Sequence, residues 1–323
     1  MIRRIVLTVA VTGLVLVACS DDSTSSGSTA ASTTDAAEST IAESTTTTLS
    51  PDAAQLLYIS DEGQPGVFQL WVVNADGTDA HAITSGPNSH LHPSWSPDGA
   101  KIVFSSDTEG HQGLFVVNAD GTGEVQVSAD GRAQSPSWSP DGTKIVYDTK
   151  APGPYPFLLY VMNADGTNVV KLTPRDNDEY SAAFSPDGTK LAFAVQDFEG
   201  TDIYVINADG SGLLALTDAG GENDQPAWSP DGTRIAFMST RDDGAHGQIY
   251  VMNADGTDQH ALTSDPLHHA YPSWSSDGGR IAFDGGDTAD YTTFEIYVMN
   301  ADGTGAKAIT ANGADDGVPV WLP

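Results

Sequence analysis

The feature that most constrains this chain is a repeat. The tetrapeptide Asn-Ala-Asp-Gly begins at Asn74, Asn118, Asn163, Asn207, Asn253 and Asn300, a spacing of 44 to 47 residues. A second motif runs in phase with it. It reads Pro-Ser-Trp-Ser-Pro-Asp-Gly from Pro93 and Pro136, Ala-Ala-Phe-Ser-Pro-Asp-Gly from Ala182, Pro-Ala-Trp-Ser-Pro-Asp-Gly from Pro226 and Pro-Ser-Trp-Ser-Ser-Asp-Gly from Pro272. A fragment, Pro319-Val320-Trp321, closes the chain, and Ile-Tyr-Val-Met-Asn or a near variant leads into each Asn-Ala-Asp-Gly. Three motifs in fixed order across six units describe one supersecondary element copied along the chain.

Each unit reads as four short strands. In the one that starts at Gln225 they are residues 226–229, 234–239, 248–252 and 259–263. Asp231-Gly232 and Asp255-Gly256 fall between strands, where glycine supplies the positive φ of a tight hairpin. The strand stretches are rich in Ile, Val, Phe and Tyr, often at consecutive positions, as in sheets covered on both faces. A repeat of this length with four strands per unit predicts an all-β, six-bladed β-propeller with four antiparallel strands per blade. The ends predict how it closes. Residues 56–60 match the second strand of a unit, and residues 318–323 match a first strand and nothing more. The C-terminal strand should therefore complete blade one and leave no open sheet edge.

The N-terminus reads as an address. Arg3 and Arg4 precede an apolar run over residues 5–17 that is too short to be a permanent membrane span. It ends in Leu16-Val17-Ala18-Cys19, the lipobox of a bacterial lipoprotein, with Cys19 as the lipid acceptor. Cys19 is the only cysteine, so no thiol is left for disulfides, a cysteine metal cluster or a cysteine nucleophile. The expected organisation is a signal peptide over 1–18, a Ser/Thr-rich disordered tether over 19–54 and the propeller over 55–323. That makes an extracytoplasmic head, probed from a membrane to which only the lipid holds it.

Removing residues 1–18 takes two of the 13 basic residues and none of the 44 acidic ones, which leaves a net charge of −33. Such a field repels nucleic acid, keeps the head monomeric and favours basic proteins, cationic peptides or divalent cations as partners.

The Trp-Ser-Pro-Asp-Gly and Ile-Tyr-Val-Met-Asn-Ala-Asp-Gly motifs resemble those of the TolB-like, WD-like repeat propellers, over roughly residues 55 to 323. The chain is most similar to stand-alone propeller lipoproteins of that family. The resemblance implies binding of an envelope protein, peptide or glycan at the mouth of the central channel, without catalysis and with no required cofactor. The aromatic residues at Trp95, Trp138, Phe184, Trp228 and Trp274 are expected to wedge between blades, and the aspartates and glycines to make turns. The acids expected of a calcium loop do not follow the Asn-Ala-Asp-Gly turns in a regular way, which favours hairpin chemistry there. No Gly-x-Ser-x-Gly elbow is present, which excludes the serine peptidases that carry related blades.

The segments that join one blade's outer strand to the next blade's inner strand vary while the framework repeats, and such loops surround one mouth of the channel. The expected binding residues are His90 and His92; Arg132 and Gln134; Asp178, Glu179 and Tyr180; Glu222, Asp224 and Gln225; His268, His269 and Tyr271; and Asp315 and Asp316. His90, His92, His268 and His269 are also the candidate metal ligands, a divalent cation being compatible with this set. The histidine pairs should share the half of the mouth around blade one and face the acids of blades four and five. Two other readings share the fold: a metal-dependent polysaccharide lyase or other glycan-processing enzyme, and a purely structural envelope scaffold. Propeller lyases have histidines at this mouth, yet Arg132 is the only basic side chain in these segments to hold an acidic sugar.

Overall fold

The computed structural model describes residues 54–323 except 109, 129, 151–155, 174–176, 219 and 288–292. The expected signal peptide, Cys19 and nearly all of the tether lie outside the described residues. Within them, twenty-four strands form six four-stranded antiparallel sheets, and there is no helix. Blade two shows the pattern. Its inner strand is Leu91–Trp95, followed outwards by Lys101–Thr108, His111–Asn118 and Val125–Ser128. Blades three to six repeat it, with inner strands Gln134–Trp138, Asp178–Phe184, Asn223–Trp228 and His268–Trp274.

Blade one is completed from both ends of the chain. Its inner strand is Asp316–Trp321, paired to Gln55–Ser60 with Leu56 opposite Trp321 and Ser60 opposite Asp316. This is the closure expected from the motifs, with the clasp starting two residues earlier than they indicated. The inner strand of blade five likewise begins early, at Asn223, and its outer strand shrinks to His260–Ala261. Outer strands are short because one face and one edge meet water, whereas Gln55–Ser60 is buried at every position between neighbouring blades.

Side chains set the turns. In the first Ser-Pro-Asp-Gly, the Ser96 hydroxyl donates to Asp98 Oδ1 (2.6 Å) and accepts the Lys101 N–H (2.9 Å), while the Ala100 N–H donates to the same carboxylate. In the first Asn-Ala-Asp-Gly, the Thr78 N–H and hydroxyl both donate to Asp76 Oδ1 (3.0 and 2.6 Å). These bonds hold Asp98 and Asp76 below the usual carboxylate range and commit one oxygen of each to its own hairpin. Glycine is needed for a second reason. Gly77 has φ +88°, and a Cβ there would lie 2.6 Å from the carbonyl oxygen of Ile309, just past the outer strand of blade six, Lys307–Ala308. The turn thus seats one blade against the one before it.

The aromatic residues close the inner gaps between blades. Trp321, on the clasp, is buried with Leu56, Tyr58 and Val73 of blade one and with Ala282, Ile296 and Val298 of blade six. The Arg280 guanidinium lies 4.7 Å from its ring centroid, and Arg234 stacks on Trp274 in the same way at 4.5 Å. Deleting residues 318–323 should therefore lower the melting temperature by roughly 10 °C or more, because losing the buried Trp321 alone costs about 3–5 kcal/mol. Calorimetry of the truncated and full chains checks this; coincident melting curves would remove the clasp from the account of closure.

Candidate functional site

Each inner strand carries a bulge. Against the second strand, the register slips between Leu91 and Ser94, Gln134 and Ser137, Tyr180 and Ala183, Asp224 and Ala227, and Ala270 and Ser273. In blade one it slips opposite the clasp, between Leu57 and Ile59. At every bulge a non-glycine residue has left-handed backbone: His92 (φ 49°), Ser135 (50°), Ser181 (56°), Gln225 (57°), Tyr271 (51°) and Val318 (53°). Such a conformation costs about 1–3 kcal/mol, and a bulge re-aims the side chain it carries. These six line a cavity of about 200 Å³ in the channel, together with Pro93, Pro136, Ala182, Pro226, Pro272 and Pro319 that follow them.

The ring is lopsided. His92, Val318 and Tyr271 belong to blades two, one and six, and the His92 and Tyr271 rings are 6.3 Å apart. Ser135, Ser181 and Gln225 make the other half, and Gln225 Oε1 accepts the Tyr271 N–H at 2.9 Å where the halves meet.

The expected mouth residues divide by their position relative to the bulge. His92, Gln225 and Tyr271 are at it and line the channel. His90, Glu179, His269 and Asp316 stand two residues before it and are buried inside their blades. His90 Nδ1 is 3.0 Å from Thr84 Oγ1, and its ring packs 4.4 Å from Phe104. Glu179 accepts the Thr173 hydroxyl. His269 Nε2 lies between the two oxygens of Asp265 (2.9 and 3.1 Å), with its ring edge-on to Phe283. Asp316 is pushed up to about 7 by burial, with Ser60, Thr310 and Asn312 offsetting part of the shift. The slip in the alternation of side chains is the reason: it turns the residue at the bulge towards the axis and the residue two before it into the sheet.

The four loop histidines are thus held in separate surroundings. His268 is half-buried, takes the Gly247 N–H on Nδ1 (2.9 Å), and packs against Phe294; burial lowers its pKa, with His269 and His246 adding to the effect. Among the described residues no three His, Cys, Asp or Glu side chains converge as a metal site.

The acids and their neighbours lie between these extremes. Asp178 accepts the Phe157 N–H (2.7 Å), and Asp224 accepts the N–H of Gln225 (2.6 Å). Glu222 accepts the Thr201 hydroxyl (2.7 Å), whose oxygen is 3.2 Å from the buried Tyr180 hydroxyl. The Asp315 N–H donates to Asp61. Gln134 is paired opposite Asp148, and Arg132 is exposed in the loop before it.

Two residues escaped the sequence reading. Asp148 and Asp284 occupy the same position on the second strands of blades three and six and are fully buried behind the ring. Asp148 accepts the Ser181 N–H (3.4 Å) and Asp284 the Val318 N–H (3.0 Å), so each tethers a left-handed residue of the next blade. Burial pushes both up to about 7. The mouth acids Asp224 and Asp315 add to this, the first on Asp148 and the second on Asp284. The one signal for them was an acid following the apolar Ile-Val-Tyr and Ile-Ala-Phe runs of a strand otherwise buried on both faces.

A family model described as the TolB beta propeller domain matches residues 28–182 and 176–323. A TolB homolog of Chlorobium luteolum is 28% identical over 145 residues, 45% of this chain and 32% of that protein, so the matched stretch spans about a third of the relative's length. The crystal structure of TolB from Acinetobacter baumannii superposes with a TM-score of 0.73 at 20% identity, covering 84% of this chain and 67% of that one. An oligogalacturonate lyase in complex with manganese shares the fold more distantly, with a TM-score of 0.54 at 17% identity over 79% of this chain and 73% of that one.

The two buried carboxylates have a sign that can be measured. A folded-state pKa near 7 against an ordinary aspartate value of 3.8 means the folded chain holds protons the unfolded chain has released. Their contribution is neutral below about 3.8, costs stability progressively as pH rises to about 7, and is constant above. The variant D148N/D284N, which keeps an acceptor for Ser181 and Val318, should be more stable than the parent at pH 8. Its advantage in urea unfolding should shrink steadily to nothing as pH falls towards 4; an advantage independent of pH would mean that neither group titrates in this range.

Proposed function

The chain belongs to the TolB β-propeller domain family, and on that footing we propose that it is a cell-envelope lipoprotein whose head is a non-catalytic binding module. The head engages a protein or peptide at the mouth of the propeller channel. The observation that carries this reading is the left-handed ring. A framework copied six times cannot make a single specific site, whereas His92, Ser135, Ser181, Gln225, Tyr271 and Val318 put five different kinds of side chain at the same strained position. Strain at side chains that line one cavity is characteristic of recognition sites.

The charge favours a basic partner, and the mouth supplies a way to hold one. Asp224 and Asp315 reinforce the protonated state of Asp148 and Asp284. A partner cation beside Asp224 or Asp315 therefore draws protons off the acids behind the ring, and binding tightens as pH rises through 7. The lipid on Cys19 would hold the head outside the cytoplasm, with residues 19–54 as the tether.

Two experiments test this reading. A photocrosslinking amino acid at His92 or Gln225 of the full chain should capture a partner in cells, and one at Lys307, on the outer rim of blade six, should not. Replacing Asp178, Glu222 and Asp224 by their amides should then weaken binding of that partner roughly tenfold at low salt and flatten its salt dependence. Stronger capture from Lys307 would move the site to the rim. Separately, Cys19→Ser should release a folded head from the membrane fraction, as judged by fractionation and circular dichroism; a variant that stays wholly with membranes would end the lipoprotein assignment.

A further inference from the structure

At the end of each inner strand stands one aromatic residue, and its partner on the preceding blade is the valine two residues before the Asn of Asn-Ala-Asp-Gly. Five of these aromatics are Trp95, Trp138, Trp228, Trp274 and Trp321, and the sixth is Phe184. Opposite the five indoles, Val72, Val116, Val205, Val251 and Val298 are 2–9% exposed. Opposite Phe184, Val161 is only half-buried. The smaller ring leaves the gap between blades three and four incompletely filled.

The space is a cavity of about 390 Å³ whose apolar wall includes Val161, Val170, Leu172 and Phe184. The neighbouring groove between blades four and five, about 450 Å³, is different: its floor is Trp228, and its rim is turn residues. There the indole covers Val205 and Leu216, the counterparts of Val161 and Leu172. Exposed apolar side chains also gather here. Val170, which lines the cavity beside Phe184, and its neighbour Val169 are both more than half exposed.

The charges point to one kind of occupant. Lys144 lines the cavity at the strand position where Arg234 and Arg280 stack on Trp274 and Trp321 in the blades after theirs. A cation is thus already stationed beside the place an aromatic ring would fill. Asp141, Asp187 and Asp209 stand around the same opening, with Lys171 the other lysine beside it, on a chain whose net charge is −31. We propose that the groove between blades three and four accepts a tryptophan side chain presented by a basic peptide segment. The guest indole completes there the wedge that the chain supplies for itself at the other five junctions. The groove lies at the opposite end of the inner strands from the mouth, so it is a second site, independent of the first.

The test uses the full chain and a capped Lys-Trp-Lys peptide carrying fluorotryptophan, followed by fluorine NMR. One peptide should bind per chain, saturably, and the same peptide with alanine for tryptophan should not compete. Phe184→Trp should reduce the affinity roughly tenfold or more by filling the site, while leaving the melting temperature unchanged or higher. Should that variant misfold, Val170→Lys decides instead: it changes an exposed side chain, and it should also weaken binding by removing apolar wall and repelling the lysines. Lys307→Gln, on the outer rim of blade six, should leave peptide binding unaltered. Absence of saturable binding, equal affinity in the folded Phe184→Trp or Val170→Lys chains, or loss of binding in Lys307→Gln would each overturn the proposal.

Discussion

Six sheets can stand around an axis only if the wedge-shaped space between neighbours is filled, and in this protein the filler is an aromatic ring, an indole at five of the six junctions. Much else follows from that demand. The ring has to sit at the end of an inner strand, where blades are close, so Trp95, Trp138, Phe184, Trp228 and Trp274 each stand directly before a Ser-Pro-Asp-Gly or Ser-Ser-Asp-Gly turn. Its outer face needs a cover that tolerates water, which Arg234 and Arg280 provide with planar guanidinium groups. Its inner face needs a buried aliphatic partner, and a β-branched valine meets it on the preceding blade. The clasp is not exempt: Trp321 performs this role for the seam at which the ring is joined.

A second demand acts nearer the axis, where six inner strands crowd together. A regular strand would alternate its side chains between two neighbouring blades and offer the channel little but backbone. The bulge breaks that alternation and turns one side chain per blade inwards. The buried carboxylates of Asp148 and Asp284 hold two of these positions in place, on blades that face each other across the ring. Framework and channel lining are therefore separated by one backbone irregularity, which lets the ring vary while every wedge stays aromatic.

The difference between what was legible in the sequence and what was not follows the same line. Blade number, strand order and the clasp are written in periodic motifs, since each turn needs the same Ser, Asp, Thr and Gly to satisfy the same backbone groups. The mouth is written in parity, and parity is hidden. His90 and His92 look like one pair in the chain, yet the first packs on Phe104 inside the blade and the second lines the channel beside Tyr271. Nothing in the composition of Leu91-His92-Pro93 announces left-handed backbone, because the usual marker, glycine, is absent from all six bulge positions. The variable loops mark one end of the inner strands, whereas Asp148 and Asp284 stand in second strands and carry no such mark.

The clasp has a further consequence for how such a ring is assembled from its gene. Because the chain enters blade one at its second strand and leaves it at its first, the unit that is copied contributes three strands to one blade and the innermost strand to the next. Every seam between blades is therefore crossed by continuous polypeptide, and every seam between copies falls inside a sheet. A duplication or loss of one unit changes the circumference by one whole blade without leaving a half-built sheet behind. It also makes the location of the chain ends arbitrary. The Leu322 N–H donates to the Gln55 carbonyl oxygen at 3.0 Å, so a short linker there and a cut at any other Ser-Pro-Asp-Gly turn would give the same ring, closed through a different blade.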